Sequence, residues 1–204
     1  MSVNPDDRRV RKTRKALRVA VEELLARKPL ESISVKELAA RAEINRATFY
    51  LHYASPRELL LEVAEEYLRQ LTQSFKAVEM DNMALDRPPE QMIKVFKHVK
   101  AHAAVYRPVL HGAVLSPFHP RIAALFQDLG VRRIQDVKGT SPHARELVDR
   151  EMVVHGAIGA TLGVISWWLQ NGMKRSPEYM AERLAWLLIS GAYPLLGLKP
   201  PQIE

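Results

Sequence analysis

The sequence predicts an all-α protein, with a small three-helix unit at the N-terminus followed by a larger helical domain. Three observations carry this. Apolar residues recur at three- and four-residue spacing along almost the whole chain. Pro, Gly and capping residues cut that pattern into segments of helical length. No stretch alternates apolar and polar residues as a half-buried strand would, and no internal repeat is visible.

Taken in order, Val10, Leu17, Val21, Leu24 and Leu25 share one face of a first helix. It runs from about residues 5–9 to Arg27, and Pro29 stops it. Its other face carries Arg8, Arg9, Arg11, Lys12, Arg14, Lys15 and Arg18. Ser34 with Glu37 three residues on makes a capping box, and Ile33 with Leu38 a hydrophobic staple. A short helix, Val35 to Arg41, follows. Asn45 caps a second short helix with Ile44 and Phe49 as its staple, so only Ala42 to Ile44 separate the two. Ser55-Pro56-Arg57-Glu58 starts the next helix with Pro at its first position and another capping box. Its apolar face is Leu59, Leu60, Val63, Tyr67, Leu68 and Leu71. After a polar, Pro-rich loop at 81–89, helices are predicted at about 89–106, 117–137, 143–171 and 177–192, with a short helical turn over 108–115.

Composition narrows the function. Residues 1–57 hold 13 Lys and Arg against 7 Asp and Glu, whereas residues 58–204 hold 17 against 16. The positive field therefore belongs to the first quarter of the chain, which fits a polyanionic partner or a merely solvated basic helix. There are no cysteines, so no disulfide or thiolate metal site is possible, which fits a reducing cytoplasm. The first residues carry no apolar core of a signal peptide, and no apolar run is long enough to span a membrane. A cytoplasmic location is expected. Gly-rich phosphate loops, a Gly-x-Ser-x-Gly elbow and acidic metal clusters are absent from the sequence, so no enzyme, cofactor or metal is expected.

Two short capped helices across a tight turn, after a longer helix, form a helix-turn-helix DNA-binding unit. Leu38, Ala39, Ala42, Ile44 and Phe49 supply the small and apolar side chains needed where the helices cross. The second helix would lie in the major groove with Asn45, Arg46, Ala47 and Thr48 at base edges. Arg46 can donate two bonds to a guanine edge, and the Ala47 methyl can meet a thymine methyl. Thr48, Tyr50, His52 and Tyr53 carry donors suited to phosphate oxygens. Phe49 reads as core, while Tyr50 is also compatible with a core position and a satisfied hydroxyl.

Ser34-Val-Lys-Glu-Leu-Ala-Ala-Arg-Ala-Glu-Ile-Asn-Arg-Ala-Thr-Phe-Tyr-Leu-His-Tyr53, followed by Ser55-Pro-Arg-Glu-Leu59, resembles the signature of the TetR/AcrR family of transcriptional regulators. The resemblance covers roughly residues 10–72. It implies that Lys36, Arg46 and Ala47 face bases and that Thr48, Tyr50 and His52 clamp phosphates. Two positions depart from the family pattern. Glu43 stands where Gly is usual in the turn, and a left-handed backbone there costs Glu about 1 kcal/mol relative to Gly. Pro56 stands where the family has a phosphate-contacting Lys; Arg57 and the free backbone N–H groups of that helix end are the substitutes.

The expected organisation is a helix-turn-helix DNA-binding domain over residues 1–55, a bridging helix from about 56, and an effector-binding and dimerisation domain over 56–204. One helix-turn-helix reads few base pairs, so a homodimer on a palindromic double-stranded operator is expected, with half-sites about 34–36 Å apart. Gly156, Ala157, Gly159, Ala160 and Gly163 would admit a partner backbone, with Met180 to Ile189 beside them; packing within the chain is the alternative use of these small residues. Phe96, His102, Tyr106, Phe118, Phe126, Met152, His155 and Trp167 are the candidates for a pocket that binds an unknown small-molecule effector, although each also suits an ordinary core. His98 and His102 have metal-ligand spacing without an acidic third ligand; with Lys94 and Lys97 they are either exposed or suited to an anionic effector. The expected function is a repressor released by an inducer, the alternative being an activator or a DNA-binding protein without an inducer.

Overall fold

The computed structural model describes residues 8–73, 90–110 and 150–195. These form eight α-helices: α1 Arg8–Leu25, α2 Val35–Arg41, α3 Arg46–His52, α4 Pro56–Gln73, α5 Glu90–Ala101, α6 Ala103–Leu110, α7 Arg150–Gln170 and α8 Pro177–Leu195. A single 3-10 turn, Leu30–Ser32, joins α1 to α2, and no strand occurs among the described residues. The expected helix at 117–137, the turn beyond Leu110 and the first residues of the one at 143–171 lie outside the described residues.

Two compact units are distinguished by their internal packing. One holds α1, α2, α3, α4 through Tyr67, and α6; the other holds α4 from Leu68, α5, α7 and α8. In the first, Val10, Leu17 and Val21 of α1 are buried with Leu38, Phe49, Leu59, Leu60 and Val63. The Tyr67 hydroxyl donates to Glu22, which ties α4 to α1. All six residues assigned to the apolar face of α4 are buried.

The segment expected as one helix at 89–106 is two helices, broken at His102. The break falls within two residues of the boundary between the units, so α5 and α6 serve different cores. Pro108 lies inside α6, where it has no N–H to return to Ala104.

The second unit is organised around Trp168, which is fully buried with Phe96 set edge-on at 5.3 Å. Its indole N–H donates to the Arg175 carbonyl at 3.0 Å. That bond spans the turn closing α7, where Gly172 (φ 71°) and Met173 (φ 54°) are both left-handed. The Gly172 N–H donates to Leu169 O and the Met173 N–H to Trp168 O, a Schellman ending. Ser176 then caps α8 by accepting from the Tyr179 N–H. Lys97 of α5 pairs with Glu178 of α8 at 2.9 Å. No helix among the described residues is long and apolar enough to cross a membrane.

Candidate nucleic-acid interface

Local chemistry builds the α2–turn–α3 segment. Ser34 Oγ accepts from the Glu37 N–H while the Glu37 carboxylate accepts from the Ser34 N–H, as a capping box requires. Lys28 donates to the same carboxylate; with the Ser34 bonds it holds the Glu37 pKa down to about 2. Arg41 pairs with Glu23, fastening α2 to α1 and lowering that carboxyl's pKa.

The turn is a second Schellman ending. The Glu43 N–H donates to Ala40 O at 3.2 Å and the Ile44 N–H to Ala39 O at 2.9 Å. Glu43 occupies the left-handed position with a φ of 54°. The backbone thus keeps the geometry that favours glycine and the side chain bears the strain. Glu43→Gly is expected to stabilise the protein by about 1 kcal/mol, a rise of roughly 2–4 °C in the thermal midpoint. A calorimetric scan that leaves the midpoint unchanged or lower would count against strain at this turn.

The Asn45 side chain caps α3 by accepting from the Thr48 N–H at 2.6 Å and from Thr48 Oγ1 at 2.9 Å. Its Oδ1 is therefore committed to the helix start. Behind α3, Phe49 is wholly buried, edge-on to Tyr50 at 5.6 Å and tilted against Tyr53 at 5.9 Å. In front, Arg46, Ala47, Tyr50 and Leu51 are exposed. Lys36 near the start of α2 and Arg57 near the start of α4 are exposed too, and Thr48 and His52 are half-buried.

Tyr53 differs from the rest of this set. It is buried, and its hydroxyl donates to Glu62 at 2.8 Å instead of facing outwards. Arg14 lies 3.9 Å from the same carboxylate oxygen. Burial and then the Glu62 carboxylate raise the phenol's pKa, so it stays a neutral donor. The tyrosine braces the end of α3 against α4. Burial, and then the charge of Arg14, lower the pKa of His52 against the opposing pull of Glu62, so the imidazole is neutral near pH 7. At the start of α4, the Glu58 N–H donates to Ser55 Oγ, but the Glu58 carboxylate accepts from the Ala54 N–H, one residue earlier than the capping box would have it.

Residues 17–63 match the profile described as bacterial regulatory proteins, tetR family. Residues 86–190, just over half of the chain, match a second profile described as a transcriptional regulator C-terminal region. The chain belongs to the TetR family. Among curated relatives of this TetR-family chain, the uncharacterized HTH-type transcriptional regulator YxbF of Bacillus subtilis (strain 168) is 24% identical over 170 residues. The alignment takes in 82% of this chain but only 42% of YxbF, so the chain spans less than half the length of that relative. The fold is similar to a TetR-family transcriptional regulator from Streptomyces coelicolor, at a TM-score of 0.68 and 16% identity over 92% of this chain and 88% of that one. It is also similar to NalD, the secondary repressor of the MexAB-OprM multidrug efflux pump in Pseudomonas aeruginosa, at a TM-score of 0.64 and 17% identity over 91% and 98% of the two chains.

The described effector candidates of this TetR-family chain fall in both units and differ in burial. Phe96 is buried beneath Trp168 in one unit, while Tyr106 is buried in the other, where burial raises its phenol pKa. Met152, His155 and Trp167 are exposed on α7, and Phe118 and Phe126 lie outside the described residues. His102 does line a groove of about 290 Å³, together with Gln70, Leu71, Lys94, Lys97 and His98. The His98 and His102 rings are 4.6 Å apart, and burial together with the neighbouring imidazole brings the His98 pKa down to about 4. The two lysines are not loose charges, because Lys94 pairs with Glu90 and Lys97 with Glu178, each at 2.9 Å. Among the described residues, no three His, Cys, Asp or Glu side chains converge as a metal site would need.

Sequence reasoning left out Glu62 and Leu51 and named Arg14 only as one of the cations on the basic face of the first helix. Glu62 and Arg14 set the charge beside His52 and Tyr53, and Leu51 stands on the exposed face of α3. The apolar face read for α4 did not include Glu62, and nothing in it gave a sign of that residue's partner.

Proposed function

We propose that this protein is a sequence-specific DNA-binding repressor that acts as a homodimer on a two-fold operator and is released by a small-molecule inducer. The observation that carries the reading is the two-sided character of α3. Phe49 anchors one side in the core, and the other presents Arg46, Ala47 and Tyr50 to solvent in the most basic quarter of the chain. Arg46 reads a guanine edge, Ala47 a thymine methyl, and Tyr50, Thr48 and the neutral His52 donate to phosphates. Lys36 and Arg57 flank them, and the basic face of α1 adds charge along the backbone.

Dimerisation is supported by α7. Among the described residues, no atom lies within 4 Å of where a Cβ would stand at Gly156, Gly159 or Gly163. Close packing against the other described residues is therefore not what these glycines serve. Met152 and Trp167 are exposed at the same helical spacing, and Leu187 is exposed on α8. A smooth apolar face of this kind is stabilised when a second copy covers it.

For induction, α4 is the natural relay. It starts at the cap following α3 and ends with Gln70 and Leu71 on the groove wall. An effector that binds one setting of α4 more tightly than another changes the spacing of the two recognition helices and lowers operator affinity.

A mobility-shift titration against an operator selected from random duplexes tests the DNA reading. Arg46→Ala should weaken binding by about 1–3 kcal/mol and relax the preference at one position of each half-site. Affinity should fall steeply with salt, about a thousandfold or more between 50 and 200 mM if six or more phosphates are contacted. An Arg46→Ala variant that binds and discriminates like the parent, or a flat salt response, refutes the proposal.

A further inference from the structure

Leu51 is exposed over 67% of its surface, more than any other large apolar residue described. A lone surface leucine is ordinary, so its position is what matters. Successive helical residues are about 100° apart, so Leu51 lies roughly 40° around α3 from Ala47 and about 6 Å further along it. It shares Ala47's side of the helix, while buried Phe49 faces away from it. Arg46 and Tyr50 make a polar row alongside. The exposed surface of α3 therefore carries an apolar stripe, Ala47 and Leu51, parallel to a hydrogen-bonding stripe.

We infer that Leu51 is a specificity-determining residue that reads the 5-methyl group of a thymine, at a base pair beyond the one met by Ala47. The inference rests on the proposed entry of α3 into the major groove. Thymine is the one base whose major-groove edge carries an apolar group. A leucine side chain satisfies no donor or acceptor, so against the amino or keto edges of the other bases it removes water without replacing the lost hydrogen bonds. Against a thymine methyl it buries apolar surface on both sides.

The test uses the full-length protein and its selected operator. Each thymine of one half-site is replaced in turn by deoxyuridine, which pairs identically and lacks only the methyl. The parent protein should lose about three- to fivefold in affinity at the thymine under Leu51, the worth of roughly one buried methyl group. Leu51→Ala should lose that sensitivity at that one position, keep the sensitivity at any other thymine, and melt at the parent temperature because the side chain is exposed. The inference is overturned if the deoxyuridine profiles of parent and variant coincide. It is equally overturned if Leu51→Ala weakens every duplex alike, as contact with the sugar–phosphate wall would cause, or if the selected half-site holds no thymine. Failure to select any preferred duplex sinks the DNA-binding proposal itself, an outcome distinct from these.

Discussion

Phe49→Ala is expected to cost about 3–5 kcal/mol of stability and to abolish operator binding. The ring has no exposed surface and fills the space between α3 and its supports, edge-on to Tyr50 and tilted against Tyr53. α3 has only seven residues. A helix that short does not persist in water by propensity, so tertiary packing must hold it. The Asn45 cap, typically worth about 1 kcal/mol, cannot replace that anchor. The measurement is a denaturant titration followed by circular dichroism, beside a mobility-shift assay. Phe49→Leu supplies the control: it keeps most of the volume and should retain binding at a cost of about 1.5 kcal/mol or less. Full binding by Phe49→Ala would mean that α3 is held by something other than this ring.

Trp168→Ala should cost a similar amount, about 3–5 kcal/mol, but in the second unit. The side chain is 1% exposed, packs against Phe96 of α5, and pins the α7–α8 turn through Arg175. Trp168→Phe separates the two contributions. It retains the ring contact and loses the indole bond, whose net worth is about 0.5–1.5 kcal/mol. The neighbouring Trp167 is 54% exposed. Trp167→Ala should leave the fold of the chain nearly unchanged and raise the dimer dissociation constant measured by sedimentation. A large loss of stability from Trp167→Ala at concentrations where the chain is monomeric would show that the two tryptophans have been assigned the wrong roles.

The contrast between these tryptophans marks how far the sequence could be read. Their adjacency dictates that they point in different directions, but not which one enters the core. That choice belongs to Phe96, more than seventy positions away, and to the turn at Gly172. The helix-turn-helix was legible for the opposite reason. Its caps at Ser34, Asn45 and Ser55 and the turn at Glu43 are formed between residues at most five apart, so the pattern of side chains is nearly the whole of the physics. The role of Tyr53 escaped because its partner, Glu62, lies on another helix. The break at His102 escaped because both sides of it are good helix, and only the assignment of α5 and α6 to separate cores divides them. The same holds for the lysines of α5: Lys94 finds Glu90 within one turn, a pairing local spacing allows, whereas Lys97 finds Glu178 on a distant helix.

By itself, then, the sequence determined the all-helical class, the capped pair of short helices, the strained residue in their turn and the side chains offered at α3, all through contacts closed within a turn or two of backbone. Only the tertiary structure decided that Tyr53 turns inwards, that Trp168 and not Trp167 is core, and that the glycines of α7 face open space among the described residues. Burial is settled by what arrives from far along the chain, and no local spacing encodes the identity of that neighbour.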